Sequence, residues 1–221
     1  TNFTDTGTST NLNHLVVVRD REVAKHYSRE FKEINQGRFG KLNEGHDPAP
    51  KDLTVSNVPV RVLFAPDHNP EMEIMKQMLK SKLRVDFAVF TFSQSSGIDD
   101  TLLRLHELGR EIHGLVDGKQ GNQSWAATKL LQQANIDVQC VPGKGKLRKL
   151  HHKLMVIDEQ VVVAGSFNYT GPANRLNDEN IIILGDLESN DQASIAAQKK
   201  LAGYALKELD RIRRAYAEGI H

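Results

Sequence analysis

The sequence predicts an α/β protein with a layered fold, in which a mixed, mostly parallel β-sheet is flanked by helices. Short runs rich in β-branched residues alternate with stretches whose apolar residues recur at helical spacing. Glycine, proline or asparagine separates many of these runs, as is typical where a chain turns between a strand and a helix. With 221 residues, the chain is long enough to bury a substantial core.

The second part of the chain carries most of the predicted elements. The predicted strands cover residues 58–64, 85–92, 112–116, 136–141, 154–157 and 161–164. The predicted helices cover residues 71–82, 99–108, 123–134 and 191–217. The first and last of these helices have an apolar inner face, which indicates that they pack on the sheet.

The first part of the chain contains fewer elements. Residues 15–18 predict a strand, and residues 21–34 predict an amphipathic helix. The apolar face of this helix is formed by Val23, Tyr27, Phe31 and Ile34. Residues 41–57 are rich in glycine, proline, aspartate, asparagine and lysine, and they predict a linker.

The most informative segment runs from residue 150 to residue 180. His151 and Lys153 lie two positions apart at the start of a predicted strand, so their side chains project from the same face. Asp158 follows in the predicted hairpin turn, and further polar residues lie downstream at Ser166, Asn168 and Glu179. A histidine beside a fixed positive charge is suited to reaction at a phosphate group.

This order of residues, His-x-Lys-x4-Asp followed by Gly-Ser-x-Asn and Asn-x-Glu-Asn, resembles the motif of the phospholipase D superfamily. The resemblance implies two repeats, each a β-sheet flanked by helices, whose motifs meet at one site. It also implies a phosphodiesterase that forms a phosphohistidine intermediate and uses neither a metal ion nor another cofactor.

The motif residues then have expected roles in catalysis. His151 is the candidate nucleophile, and Lys153 together with Asn168 would neutralise the charge of the phosphate. Ser166 offers a hydroxyl to the phosphate or to the histidine ring. Glu179 is expected to accept a hydrogen bond from His151 and so to fix its tautomer.

Three neighbouring residues are expected to support the structure of the site. Asp158 lies in the hairpin turn, where we expect it to hold the turn or a neighbouring basic group. His152 points to the opposite strand face from His151, so it is expected to pack beneath the site. Gly165 has no side chain and would permit a close approach of two backbones.

The N-terminal residues repeat part of the same segment. Residues 1–4 echo residues 167–170, and Asp20 echoes Asp186, with a single ungapped offset (168 − 2 = 166 and 186 − 20 = 166). Apolar runs alone would be weak support for a repeat, but the polar matches at this offset are harder to explain by chance.

The offset predicts a pseudo-two-fold organisation. Residues 1–40 are interpreted as the C-terminal part of a first repeat, and residues 58–221 as a complete second repeat. The partner histidine, the expected general acid, would lie upstream of the first residue (151 − 166 = −15) or come from another copy in a homodimer. Asn13 stands at the position of Glu179, so the first half is expected to orient its histidine differently.

A basic segment directly precedes the motif, with its charges at Lys144, Lys146, Arg148 and Lys149. At the mouth of the site these residues would bind a polyanionic substrate, whereas the alternative is a solvated loop without a partner. Trp125 could stack on a base or belong to the core. Because no amphipathic membrane-binding helix is recognisable, DNA or RNA is preferred to phospholipid as the substrate. A non-catalytic nucleic-acid-binding module is the remaining alternative.

Composition sets further bounds. The net charge of +1 gives no global signature of a nucleic-acid-binding protein. The single cysteine, Cys140, excludes an internal disulfide and a cysteine-rich metal site. No apolar run approaches the roughly 20 residues that cross a bilayer. We therefore expect a soluble protein, cytoplasmic or secreted, with the compartment left open.

Overall fold

A computed structural model describes residues 4–42 and 48–216 of the chain. The helices in this part of the chain are α1 (Asp5–Ser9), α2 (Arg21–Asn35), α3 (Pro70–Leu79), α4 (Gly97–Glu107), α5 (Gly118–Gly121), α6 (Thr128–Gln133), α7 (Gly171–Arg175) and α8 (Gln192–Tyr216). The strands are β1 (Asn11–Leu12), β2 (Leu53–Val55), β3 (Val58–Ala65), β4 (Arg84–Val89), β5 (Glu111–Asp117), β6 (Asp137–Val141), β7 (Lys149–Leu150), β8 (Lys153–Ile157), β9 (Val161–Gly165) and β10 (Glu179–Leu184).

Eight of the strands form one mixed sheet in the order β2-β3-β10-β9-β8-β4-β5-β6. β4, β5 and β6 are parallel neighbours, whereas every pairing from β2 across to β4 is antiparallel. The predicted α/β layered fold with a mixed sheet is confirmed, but antiparallel pairs outnumber parallel ones. One reason is that β8 and β9 form a hairpin at the centre of the sheet. Two strands that a short turn connects run in opposite directions, so a hairpin is antiparallel.

Helices cover both faces of the sheet, so the core has two layers. On one face, α3, α4 and α6 contribute Ile74, Leu102 and Leu131 to a cluster centred on Phe87. On the other face, α8 contributes Ala202, Leu209 and Ile212 to a second cluster. Because most of β8, β9 and β10 is buried on both sides, these strands contain uninterrupted apolar runs, at residues 154–157, 161–164 and 181–184, instead of alternating.

Two predicted elements have different bounds in the structure. The helix predicted over residues 123–134 begins only at Thr128, because Ala126 pairs with Ser93 and the N–H of Ala127 donates to the carbonyl oxygen of Phe92. Within the predicted linker, β2 adds an edge strand to the sheet through a turn at Ser56 and Asn57, both with positive φ. A further part of that linker, residues 43–47, lies outside the described residues.

The first part of the chain departs most from the sequence prediction. Residues 15–18 were predicted to be a strand, but they pair with no strand of the described chain, and Leu15 and Val17 are 77% and 70% exposed. The helix predicted over 21–34 is α2, capped by Asp20. Its predicted inner face is correct only in part: Val23 is buried and Tyr27 packs on Phe64, with ring centroids 5.3 Å apart, but Phe31 is exposed. Glu30 and Glu33 are turned inward instead.

The repeat offset reappears in the local structure. α1 and α7 are both five residues long, and their bounds differ by the offset of 166 (171 − 5 and 175 − 9). Thr4 caps α1 by accepting from the N–H of Gly7, and Thr170 caps α7 by accepting from the N–H of Ala173. The echo in sequence is therefore matched by the same capped helical turn.

Candidate active site

The strand pairing before β8 positions His151 and Lys153. β1 pairs in parallel with β7, and the N–H of His151 donates to the carbonyl oxygen of Leu12 at 2.8 Å. Lys153 then begins β8 and is only 7% exposed. Its Nζ lies 3.4 Å from Nε2 of His151 and 3.2 Å from the carbonyl oxygen of the same residue. The charged amine is therefore in contact with the imidazole.

The imidazole of His151 is held between an aromatic ring and an amide. The ring centroids of Phe90 and His151 are 4.8 Å apart, and Oδ1 of Asn13 lies 3.2 Å from Nδ1 of His151. Nδ2 of Asn13 donates to the carbonyl oxygen of Gly7 at 2.5 Å, which directs the amide oxygen toward the imidazole. Because an amide oxygen only accepts, Nδ1 carries the ring proton and Nε2 presents its lone pair.

This contact differs from the predicted role of Glu179 as the residue that orients His151. Glu179 lies on β10 and interacts with the hydroxyl of Ser166 and, at 3.3 Å, with Nδ2 of Asn177. Among the described residues, the hydrogen-bond partner of the His151 ring nitrogen Nδ1 is Asn13. The repeat offset draws attention to Asn13, because it aligns this residue with Glu179, but it does not indicate that Asn13 contacts His151.

These groups line a cavity of about 860 Å³. Its polar lining includes all five predicted motif residues around it, together with three other side chains: His151, Lys153, Ser166, Asn168 and Glu179, and Asn13, His14 and Asn180. Its apolar lining comes mainly from the segment between β1 and the first turns of α2, with Leu15, Val16, Val18, Val23 and Tyr27. The cavity therefore combines cationic and hydrogen-bonding groups with an apolar surface.

The end of β9 brings two further predicted residues to the cavity. A Cβ at Gly165 would overlap the carbonyl oxygen of Asn180, so the close approach of β9 and β10 requires glycine here. Oγ of Ser166 accepts from the N–H of Asn180 at 3.0 Å. Oδ1 of Asn168 accepts from the N–H of Thr91 at 3.2 Å, so its amide NH₂ is the part that can donate to a phosphate oxygen.

The charge states of the site follow from burial and from the neighbouring lysines. The pKa of His151 is lowered to about 4, mainly by burial and secondly by the positive charges of Lys153 and Lys149. Burial likewise lowers the pKa of Lys153 to about 8, against the opposing effect of the Glu179 carboxylate. At neutral pH the imidazole is therefore neutral and nucleophilic, while the amine is mostly protonated.

His152 lies beneath the site, on the face opposite to His151. It is fully buried and stacks on His14, with Nδ1 atoms 3.1 Å apart and ring centroids 5.3 Å apart. Its Nε2 lies 3.7 Å from Oε1 of Glu208 on α8. One of the two facing Nδ1 atoms must accept, so the pair shares one proton. The pKa of His14 is lowered to about 3, mainly by burial and secondly by the charge of His152.

Asp158 lies in the turn between β8 and β9 and does not line the cavity. Its carboxylate accepts from Oγ of Ser81 at 2.7 Å and from three successive N–H groups, those of Lys82, Leu83 and Arg84, at 2.7 to 2.9 Å. Burial alone would raise the pKa of Asp158, but these donors hold it below its usual value. This geometry favours a structural role in joining the hairpin to the end of α3.

The basic segment lies directly before His151 and β8. Lys144, Lys146, Arg148 and Lys149 are all exposed. Nζ of Lys149 lies 5.2 Å from the centroid of the Phe90 ring, which itself packs on His151. At least one of the four predicted cations is therefore adjacent to the site. Trp125 is 43% exposed, so of the two alternatives for this residue, a place in the core is the one that the structure contradicts.

Two further properties bear on ligands. Among the described residues, Glu30, Glu33 and Asp67 form the one group of carboxylates close enough to share a metal ion, with ligand atoms within 4.8 Å of one another. None of the three lines the cavity around His151. Over residues 4–42 and 48–216, no helix combines the length and the apolar character that crossing a bilayer requires.

The fold and motif agree with a known family. The sequence model of the family described as "Cardiolipin synthase, PLD-like domain" matches residues 74–199, which is more than half of the chain. The chain therefore belongs to the phospholipase D superfamily.

Relatives with curated names include a phospholipase D of Rickettsia prowazekii (strain Madrid E), which is 31% identical over 137 residues, 61% of this chain and 63% of the relative. A mitochondrial cardiolipin hydrolase of Xenopus tropicalis is 32% identical over 109 residues, 49% of this chain and 50% of the relative. The chain thus spans less than two thirds of the length of either relative.

Two solved structures share the fold. Nuc, a phospholipase D family member from Salmonella typhimurium, superposes with a TM-score of 0.62 at 17% identity, covering 74% of this chain and 99% of that one. The phosphatidylserine synthase of Haemophilus influenzae Rd KW20 gives a TM-score of 0.59 at 15% identity, covering 92% of this chain and 48% of that one. At these identities the likeness concerns the fold.

Proposed function

We propose that this chain supplies the nucleophilic half of a phosphodiesterase site that works without a metal ion. The observation that carries the proposal is the contact between His151 and Lys153 at the edge of the cavity, with Nζ 3.4 Å from Nε2. A neutral imidazole attacks phosphorus, and the lysine and Asn168 neutralise charge on the non-bridging oxygens. These are the tasks that a metal ion performs in other phosphodiesterases.

The reaction has two steps. In the first, the lone pair on Nε2 of His151 forms a bond to phosphorus, the bond from phosphorus to the leaving oxygen breaks, and a second histidine gives that oxygen a proton. In the second, the second histidine takes a proton from water, the water oxygen attacks phosphorus, and the P–N bond breaks. His151 is then regenerated in its neutral form.

The second histidine is proposed to come from another repeat, either upstream in the same protein or in another copy. The matched caps of α1 and α7 support a repeat. The exposed apolar side chains of Leu15 and Val17 also support it, because a neighbouring sheet would cover them. Glu179, which is turned toward the cavity without contacting the His151 ring, would orient this second histidine.

Nucleic acid is the proposed substrate. Lys144, Lys146, Arg148 and Lys149 form an exposed basic segment that leads into the catalytic strand. Such a segment binds the repeated phosphates of DNA or RNA through contacts that weaken as salt rises. The half-exposed Trp125 offers an additional surface on which a base could stack.

Phospholipid is the second candidate substrate, and a separate observation favours it. The segment from Leu15 to Val18 and the first turns of α2 give the cavity an apolar side that could take the glycerol and first acyl carbons of a lipid. Two of the relatives are also named as a phospholipase D and as a cardiolipin hydrolase.

One assay series tests these proposals. The complete protein is incubated in excess EDTA with labelled single-stranded DNA, double-stranded DNA and vesicles that contain cardiolipin, and His151→Asn is compared with His106→Asn on α4. DNA cleavage that survives EDTA and disappears only in His151→Asn supports the nuclease. Release of lipid headgroups with the same dependence supports the lipase instead.

A third result would contradict catalysis. If the folded protein binds DNA, and His151→Asn binds equally well, but no substrate is cleaved, the chain is a binding module that retains the fold. Cleavage that persists in His151→Asn would contradict the assignment of the nucleophile.

A further inference from the structure

The two repeats differ at the position that contacts the catalytic ring. Asn13 accepts from His151, and the residue at the same place in the second repeat is Glu179 (179 − 13 = 166). An amide and a carboxylate are similar in shape but not in charge. The half-sites that they complete are therefore electrostatically unequal.

We infer that Asn13 is a positioning residue that fixes the tautomer of His151 and so assigns it the role of nucleophile, whereas Glu179 prepares the second histidine to act as the acid. This inference rests on the proposed function of the site. It assigns to Asn13 a task that the motif itself does not contain.

The orientation of the Asn13 amide is determined by its surroundings. Nδ2 donates to the carbonyl oxygen of Gly7 within α1, which leaves Oδ1 for the histidine. On one side, Leu12 accepts the backbone N–H of His151; on the other, His14 stacks on the buried His152. With both flanking residues anchored, Asn13 cannot turn its nitrogen to the ring without losing the bond to Gly7.

A neutral acceptor suits a nucleophile. It holds the proton on Nδ1 and leaves the lone pair on Nε2, without adding the negative charge that would favour the doubly protonated ring. The charged groups that face His151 are Lys153 from β8 and Lys149 from β7, with His152 beside it in the chain. Both lysines also disfavour a cationic ring, so burial, Asn13 and the lysines act in the same direction.

A carboxylate suits an acid. A histidine that donates to Glu179 would be stabilised in its protonated form, which is the form that must protonate the leaving oxygen. Burial raises the pKa of Glu179, whereas Ser166, Asn177 and the charge of Lys153 lower it, so its carboxylate is already hydrogen-bonded on the near side. The same repeat geometry thus yields a neutral, nucleophilic histidine in one half and a protonated histidine that acts as the acid in the other.

The test that does not depend on activity is the titration of His151 by NMR. In the unaltered chain we expect Nδ1 to be the protonated nitrogen and the pKa of His151 to lie well below that of an exposed histidine. In Asn13→Asp the pKa of His151 should rise by about 2 pH units, because a carboxylate favours the imidazolium. Asn190→Asp adds the same charge at an exposed loop position and should leave His151 unchanged.

The kinetic test uses the complete protein. Asn13→Ala should lower kcat by about 100-fold at every pH, since the ring is free to adopt the other tautomer. Asn13→Asp keeps a hydrogen-bond acceptor, so at alkaline pH it should be more active than Asn13→Ala. The acidic limb of its kcat/KM profile should move to higher pH together with the pKa of His151. A purely structural role would lower both variants equally without moving the limb.

Three results would overturn the inference. They are a proton on Nε2 of His151 in the unaltered chain, an unchanged His151 titration in folded Asn13→Asp, and an acidic limb that does not move. If the titration behaves as expected but no phosphodiester is cleaved, the role of Asn13 in fixing the tautomer stands and the proposed reaction fails.

Discussion

Residues 4–20 and 170–186 have the same local plan but different surroundings. Each begins with a threonine cap and a five-residue helix, and each continues into an apolar run. In the second copy this run is β10, paired on both sides and with Ile183 only 3% exposed. In the first copy the equivalent Val17 is 70% exposed and unpaired within the described residues.

This difference separates local from non-local determinants of structure. A capped helical turn depends on a few neighbouring residues, so it forms in both copies. A strand depends on hydrogen bonds from other strands, so the same apolar run forms one only where neighbours flank it. The comparison also explains why α2, which follows the unpaired run, leaves part of its apolar face exposed.

The largest effect is expected where the two half-sites differ in charge. Glu179→Gln in the complete protein should lower kcat by about 10³-fold, because a neutral amide no longer stabilises the protonated second histidine. Steady-state kinetics measures the loss, and Glu188→Gln, which removes an exposed carboxylate on the loop after β10, is the control. A kcat equal to that of the control would contradict the role of the Glu179 carboxylate in stabilising the protonated second histidine.

A matched pair of core substitutions compares the two apolar runs. Ile183→Ala should cost about 4 kcal/mol in the free energy of unfolding, since it opens a cavity in the buried cluster on the sheet face that α3, α4 and α6 cover. Val17→Ala should cost less than about 0.5 kcal/mol in this chain, because the side chain is exposed. Chemical denaturation measures both.

The same pair also tests the proposed repeat. If another repeat covers residues 15–18, Val17→Ala should cost more than about 1 kcal/mol in the assembled protein. An equal, negligible cost in both contexts would argue that this surface stays open to solvent.

Asp158→Ala separates the turn of the catalytic hairpin from its reactive end. We expect a loss of about 3 kcal/mol of stability, because three N–H groups and one hydroxyl lose their acceptor, but little change in KM. The lowered pKa of Asp158 means that its contribution is present above about pH 4 and fades as the pH falls further. Unfolding curves at pH 7 and pH 3 should therefore differ more for the unaltered chain than for the variant.

The smallest effect concerns the two caps. Thr170→Ala should cost about 1 kcal/mol, because it leaves the N–H of Ala173 without its acceptor in a buried turn. Thr4→Ala should cost less, since Thr4 is exposed and water can replace it. Hydrogen exchange at Ala173 and Gly7 measures each helix directly. Equal protection losses would indicate that α1 is as firmly packed as α7.

Much of the fold from residue 58 onward was predictable because its signals are local. The strand bounds from β3 to β6 were predicted to within a few residues, and the hairpin that holds the motif follows from two apolar runs around Asp158. The helix at 123–134 was predicted too long because a bridge between Ser93 and Ala126, residues far apart in sequence, shortens it.

The candidate site was predictable as a set of residues but not as a set of contacts. Spacing alone placed His151 and Lys153 on one face, and the cavity gathers Ser166, Asn168 and Glu179 around them. The spacing of residues could not indicate that Asn13 contacts the imidazole of His151. That contact spans 138 residues of sequence and depends on the parallel pairing of β1 with β7.

By itself, the sequence determined the local features of the candidate site: a histidine and a lysine on one strand face, a glycine where two backbones meet, and a capped turn before each of the two matching apolar runs. These depend on side-chain identity and on short-range geometry. Only the tertiary structure decided which apolar runs became strands, which face of α2 was buried, and which residue contacts Nδ1 of His151. Those outcomes depend on contacts between distant segments, and no local pattern encodes which segments will meet.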